Sequence, residues 1–192
     1  MPFFQLVVLG TSLGGLHALG VVLSGLPQSF SLPIVVVHHR HKDSDDTLVF
    51  FLQQYSALLL KEAEEKEMIV PGQVYFAPAD YHLLVEADGN LALSTEAPVS
   101  YARPSIDVLF ESAADAYAEK VIGVILTGAN YDGAQGLAKI KARGGLAIVQ
   151  EPTTAESHTM PAAAVAAVAV DYVLPLEEIS RFLIAVCNPT MG

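Results

Sequence analysis

The chain has 192 residues, 52% of them hydrophobic, and a formal net charge of −11. That is enough apolar residue for one domain over residues 1–192 with a sizeable core, and too little charge for a disordered chain. The few, scattered Lys and Arg argue against a face built to grip nucleic acid or anionic lipid. A single cysteine, Cys187, cannot form an internal disulfide. The start MPFFQLVVLG lacks the basic segment and cleavage site of a signal peptide, so a cytoplasmic protein is expected. No apolar run is long enough to span a bilayer, and no membrane insertion is expected.

In chain order, FQLVVLG predicts a strand, and LGGLHALGVVLSGLP a helix ended by Gly25 and Pro27. LPIVVVHH predicts a second strand. DDTLVFFLQQYSALLLKEAE has a helical pattern, with Asp45 or Asp46 as its N-cap. GQVYFAPAD and HLLVEADGNLALST predict antiparallel strands, with Asp88-Gly89 as a hairpin signal. SIDVLFESAADAYAEK then predicts a helix, VIGVILTG a buried strand, GAQGLAKIKARGG a helix and LAIVQE a strand. MPAAAVAAVAV, DYVLP and LEEISRFLIAVC complete the series as helix, strand and helix. Strands apolar throughout belong in a parallel sheet covered on both faces. The fold class expected is therefore α/β: a doubly wound, mostly parallel open sheet with an antiparallel hairpin insertion over roughly Val70 to Thr95.

Ligands of such sheets bind beyond the carboxyl ends of the strands. That rule selects four loops: Gly10–Gly15, His38–Lys42, Thr127–Gly136 and Gln150–Met160. Gly10-Thr11-Ser12-Leu13-Gly14 matches the G-x-S-x-G elbow, in which flanking glycines permit a tight strand-to-helix turn that exposes a serine hydroxyl beside helix N–H groups. The phosphate-binding alternative is weaker, because Ser12 stands where a dinucleotide motif needs its second glycine and no acidic ribose anchor follows the second strand. Taken alone, the pattern is equally a plain βα turn.

A nucleophilic serine needs a base, and His38 and His39 end the second strand. Successive strand residues face opposite ways, so at most one of the two meets Ser12. A metal site from His38, His39 and His41 lacks a second ligand cluster. Asp132, after the VILTG strand, can accept the histidine Nδ1–H and fix its tautomer. It is equally a turn residue, and Asp80 and Asp107 are rival acids. The chain order Ser, His, Asp is not that of an α/β-hydrolase. The basic set His38, Arg40, His41 and Lys42, within an acidic protein, predicts electrostatic steering of an acidic substrate segment. Cys187 reads as a packing residue, and His82 and His158 as loop residues without an assigned role.

These motifs follow one another as Gly10-Thr11-Ser12-Leu13-Gly14-Gly15, Val37-His38-His39, Val70-Pro71-Gly72-Gln73-Val74-Tyr75-Phe76-Ala77-Pro78, Arg103-Pro104-Ser105-Ile106-Asp107, Ile125-Leu126-Thr127-Gly128 with Asp132-Gly133-Ala134, and Met160-Pro161. In that order they resemble the catalytic domain of the CheB family of chemotaxis protein-glutamate methylesterases, over nearly the whole chain. The resemblance implies a serine carboxylesterase that hydrolyses glutamate γ-methyl esters on methyl-accepting chemoreceptors, releases methanol, and in many members deamidates receptor glutamines. It implies Ser12 as nucleophile, His39 as base and Asp132 as acid, with no cofactor or metal. Leu13 stands in place of the family's usual Thr, Ala129-Asn130 in place of Met-Gly, and Arg40-His41-Lys42 where a proline usually follows the histidine. The family's receiver domain has no counterpart in these residues, so its phosphorylation control does not carry over, and the partners to consider include additional signalling domains on the same or another chain. The alternatives are a docking module of the same fold that has lost turnover, and an esterase for another methyl ester.

Overall fold

The computed structural model describes residues 3–45 and 47–187. Seven strands form one parallel sheet: β1 (Leu6–Thr11), β2 (Ile34–His38), β3 (Leu59–Glu62), β4 (Gln73–Phe76), then β7 (Val121–Ile125), β8 (Leu146–Gln150) and β9 (Tyr172–Leu174). Their spatial order is β3-β4-β2-β1-β7-β8-β9. Two short antiparallel strands, β5 (His82–Val85) and β6 (Leu91–Ser94), form a separate hairpin. The helices are α1 (Gly15–Ser24), α2 (Thr47–Gln53), α3 (Ile106–Tyr117), α4 (Ala134–Ala142), α5 (Thr159–Ala167) and α6 (Leu176–Cys187).

The central strand shows why its residues are apolar without alternation. Val7 and Leu9 face a core built with Leu19 and Val22 of α1, Leu52 of α2, and Ile179 and Leu183 of α6. Leu6 and Val8 face the opposite core, with Phe110 of α3, Leu137 of α4, Ala164 of α5 and Leu83 of the hairpin. Each strand residue therefore enters one of two cores, as a doubly covered sheet requires. Cys187 is buried in the first core, as its apolar helix suggested.

Two expectations are corrected. The helix that starts at Thr47 ends at Gln53, and the LLLKE stretch read as its continuation contains the edge strand β3. Gln53 makes the break: its Oε1 accepts the Leu60 N–H at 2.9 Å and its amide donates to the Leu58 carbonyl at 3.0 Å. A run of leucines suits helix and strand alike, and pairing with β4 decides it. The second correction concerns β4, expected in the antiparallel insertion but placed in the parallel sheet between β2 and β3. Its Val74, Tyr75 and Phe76 are buried on both faces, which a half-solvated hairpin strand would not allow. The antiparallel pairing is confined to His82–Val85 with Leu91–Ser94, turned by Asp88, whose carboxylate accepts the Asn90 N–H at 3.0 Å. Asp45 Oδ1 accepts the Thr47 N–H at 3.1 Å at the start of α2, while Asp46 lies outside the described residues.

The strand order reverses between β1 and β7, because β1 continues to β2 on one side while β7 lies on the other. The carboxyl ends of β1, β2 and β7 thus meet at the switch point, where a sheet of this kind opens a crevice. Three of the four selected loops leave from those ends, and the fourth leaves from neighbouring β8.

Candidate active site

Ser12 stands at the turn between β1 and α1. Its N–H donates to the Thr127 carbonyl at 2.9 Å, and the Thr11 hydroxyl donates to the same oxygen at 2.7 Å. Thr127 Oγ1 in turn donates to the Leu13 carbonyl at 2.9 Å and accepts the Ser157 N–H at 2.9 Å. The elbow is therefore tied to the loops after β7 and β8 before any ligand arrives. Gly14 takes a left-handed φ of 79°, and the adjacent Gly15 leaves no room for a side chain, since a Cβ there would come within 2.6 Å of the His38 ring. The open pocket above the elbow is lined by Ser12, Leu13, Gly14, His38, His39 and Glu156, among others.

His39 leaves the end of β2, its N–H donating to the Thr11 carbonyl at 3.1 Å. Its ring meets Asp132 through Nε2, 2.6 Å from Oδ2. The sequence predicts Nδ1–H on Asp132, and the structure reverses the two nitrogens. Asn130 explains the reversal from the other side. Its Oδ1 accepts the Asp132 N–H at 3.1 Å, which turns its amide nitrogen toward His39 Nδ1 at 3.3 Å. Nε2 thus carries the proton and Nδ1 the lone pair. Among the described residues Ser12 Oγ has no side-chain hydrogen-bond partner, and the Asn130 amide is the contact of Nδ1.

Asp132 is fully buried, and every lone pair of its carboxylate has a donor nearby. Besides His39, these are the Ser105 hydroxyl at 2.9 Å, the Ile106 N–H at 2.7 Å and the Asp107 N–H at 3.0 Å. The last three belong to the N-terminus of α3. Asp107 repays the arrangement: its Oδ1 accepts the Gly133 N–H at 3.0 Å and the Gly136 N–H at 2.7 Å, at the N-terminus of α4. Each helix start is capped by the acid of the other segment. The consequences for charge differ. Burial alone would raise the Asp132 pKa, but the bonds from His39 and from the Asp107 and Ile106 N–H groups hold it below the ordinary carboxylate value. Asp107 is pushed up to about 6, first by burial and then by the neighbouring Asp132, against the bond from Gly136.

His38 packs against the elbow at Gly15 and takes no part in the His39–Asp132 contact. Burial, then the charges of His39 and Arg40, lower its pKa to about 4, against a contact with the Ser12 backbone. It is a neutral packing imidazole at ordinary pH. Arg40 corrects the steering expectation. Its side chain is only 6% exposed, pairs with Glu62, and donates to the Ala77 carbonyl at 3.1 Å. Of the basic set, only His41 and Lys42 face solvent. Asp80, a rival acid, is engaged by Arg103 at 2.6 Å and belongs to another loop contact. Sequence reasoning gave His82 no role, yet it is buried and holds the loop that supplies Ser105: Nδ1 accepts the Ser105 N–H at 3.2 Å and Nε2 donates to the Ala97 carbonyl at 3.0 Å. Ser105 and Asn130 were visible as motif positions, but their partners lie 27 and 91 residues away along the chain.

A family profile described as CheB methylesterase matches residues 7–183. The chain belongs to the CheB methylesterase family. The family makes it a hydrolase, and the sheet order just described is the fold of that family's catalytic domain. It superposes on the crystal structure of the Thermotoga maritima CheB methylesterase catalytic domain with a TM-score of 0.91 and 37% identity, covering 95% of this chain and 98% of that one. A Leptospira interrogans protein, provisionally named protein-glutamate methylesterase/protein-glutamine glutaminase, is 51% identical over 181 residues, 94% of each chain. A protein-glutamate methylesterase/protein-glutamine glutaminase of Carboxydothermus hydrogenoformans is 41% identical over 186 residues, which span 94% of this chain and 55% of that protein. Among the described residues, no helix is long and apolar enough to cross a membrane.

Proposed function

We propose that this chain is a single catalytic domain in which Ser12, His39 and Asp132 hydrolyse glutamate γ-methyl esters on methyl-accepting chemoreceptor proteins. The observation that carries the reading is the His39–Asp132 contact of 2.6 Å, which leaves Nδ1 as a lone-pair acceptor on the pocket that Ser12 lines. Ser12 Oγ attacks the ester carbonyl as its proton passes to His39 Nδ1. Asp132 stabilises the imidazolium through Nε2–H without itself taking the proton. The Leu13 N–H, which has no backbone acceptor among the described residues, faces the developing oxyanion. Protonated His39 then returns its proton to the departing methoxide, giving methanol, and water hydrolyses the acyl-enzyme by the same relay. The glutaminase half of the relatives' names supports a second outcome for the same acyl-enzyme, with a glutamine amide entering and ammonia leaving.

A fluorophosphonate label on Ser12 together with methanol release from methylated receptor tests the proposal. Ser12→Ala is expected to remove both while the protein stays folded, because the side chain is only half-buried and contributes little to either core. A wild-type chain that neither labels nor releases methanol would instead be a docking module of this fold, and release from a small methyl ester but not from receptor would point to another substrate.

A further inference from the structure

We propose that Asn130 is a catalytic residue, its side-chain amide being the second donor to the oxyanion; this rests on the proposed relay. A carbonyl oxygen that becomes anionic is best held by two donors aimed at its tetrahedral position. The serine's own N–H is not one of them. The N–H of Ser12 is consumed by the Thr127 carbonyl at 2.9 Å, and that oxygen is further tied down by the Thr11 hydroxyl at 2.7 Å. The Leu13 N–H has no acceptor among the described residues, and a side-chain donor from the loop after β7 would complete a pair with it.

Asn130 carries such a donor, held against the proposed base. Its amide orientation is set by chemistry, because Oδ1 accepts the Asp132 N–H at 3.1 Å and a flipped amide would set donor against donor. Nδ2 is thereby aimed at His39 Nδ1, at 3.3 Å. That distance lies beyond the ordinary range for such a bond, so the contact is weak and readily given up. Nδ1 is also the atom that receives the Ser12 proton, since Nε2 is committed to Asp132 at 2.6 Å. Ser12 Oγ and Asn130 Nδ2 must therefore approach the same lone pair. The oxyanion forms one carbon away from Oγ, beside that shared point.

Proton transfer changes the partners. Once Nδ1 carries a proton it becomes a donor, and its contact with the Asn130 N–H turns repulsive. The same step places negative charge on the carbonyl oxygen: the Oγ–H bond breaks, the Oγ–C bond forms, and the C=O π pair moves onto oxygen. A small rotation about the anchored Oδ1 carries Nδ2 from imidazole to oxyanion. The amide thus guards the lone pair before reaction and stabilises charge during it.

The test compares wild type, Asn130→Ala and Asn130→Asp on a receptor peptide carrying either a glutamate γ-methyl ester or its O-methyl thionoester. Sulfur accepts hydrogen bonds poorly, so an oxyanion donor favours the oxygen ester selectively. Asn130→Ala is expected to lower kcat on the oxygen ester by about 10²-fold, with KM within about threefold, and to shrink the oxygen-over-sulfur preference by the same factor. Asn130→Asp keeps the acceptor for the Asp132 N–H but loses the donor, and is expected to fall at least as far. Nitrogen NMR of His39 reports whether its proton stays on Nε2, and thermal unfolding reports that both variants are folded. Retention of kcat within threefold in Asn130→Ala, or equal slowing of the two esters, overturns the role of Asn130 while leaving the relay standing. A wild type that turns over neither ester overturns both.

Discussion

Asp132 bonds the His39 imidazole and Ser12 lines the pocket beside that ring, and their surroundings differ in completeness. Asp132 is sealed off from solvent and has a donor for each lone pair: a hydroxyl, two backbone N–H groups and the ring of His39. Ser12 opens onto a pocket, and only its backbone is pinned, to Thr127. The contrast fits the roles proposed for the two residues. An acid that orients a base works best when its geometry is settled before substrate arrives, since no reorganisation is then needed during reaction. A nucleophile must instead leave its resting contacts and form a covalent bond. The acid end belongs to the packing of α3 on α4, while the serine end belongs to a turn.

The largest effect that separates the two ends is expected from Asp132→Asn. Placing an amide NH2 among N–H donors reverses one hydrogen bond and disturbs the His39 tautomer, so kcat should fall about 10⁴-fold. Because the site is buried, stability should also drop, by about 1–3 kcal/mol. Ser12→Ala should cost activity alone, so urea unfolding of the two variants, set beside methanol release, checks the contrast. A fully stable Asp132→Asn would show that the acid end is less tightly built than its contacts imply.

Titration separates the ends next, with opposite signs. His38, under the serine end, has a folded pKa of about 4 against an ordinary 6.5. The unfolded chain binds its proton first as pH falls, so this group's stability is present above pH 6.5 and lost as pH falls toward 4. His38→Gln should remove that loss, gaining on wild type by up to about 2–3 kcal/mol between those limits. Asp107, at the acid end, is raised to about 6 from 3.8. Here the folded chain holds the proton longer, so stability falls as pH rises from about 4 to about 6. Asp107→Asn should remove that decline and gain on wild type with rising pH, by of order 1–2 kcal/mol. The two slopes oppose each other in wild type, and only the variants expose them. Unfolding free energies across pH 4–6.5 check both, and equal slopes in the two variants would refute the assignment.

The smallest effect is expected at the rim. Lys42 is exposed and Arg40 is not, so any steering is left to the outer residues. Lys42→Glu should change kcat/KM by no more than about threefold, and only at low ionic strength. A larger, salt-resistant change would place Lys42 in direct contact with substrate.

Much of this was legible in the residues alone. Unbroken apolar runs such as Val35-Val36-Val37 demand cover on both faces, which is a statement about a parallel sheet before any coordinates exist. Glycines around Ser12 mark a turn too tight for Cβ atoms, and the strand-end rule selects the loops carrying His39 and Asp132. Local pattern failed where two structures share one pattern. Leu58-Leu59-Leu60 suits helix or strand, and β4 suits hairpin or central strand, until neighbouring strands compete for them. What only the tertiary structure decided was pairing across long separations: Nε2 rather than Nδ1 on Asp132, Asn130 on the other ring nitrogen, Arg40 withdrawn to Glu62, and two acids exchanged between two helix starts. The physical reason is that periodicity records which face of an element is buried, whereas a hydrogen bond depends on where a distant element places its partner.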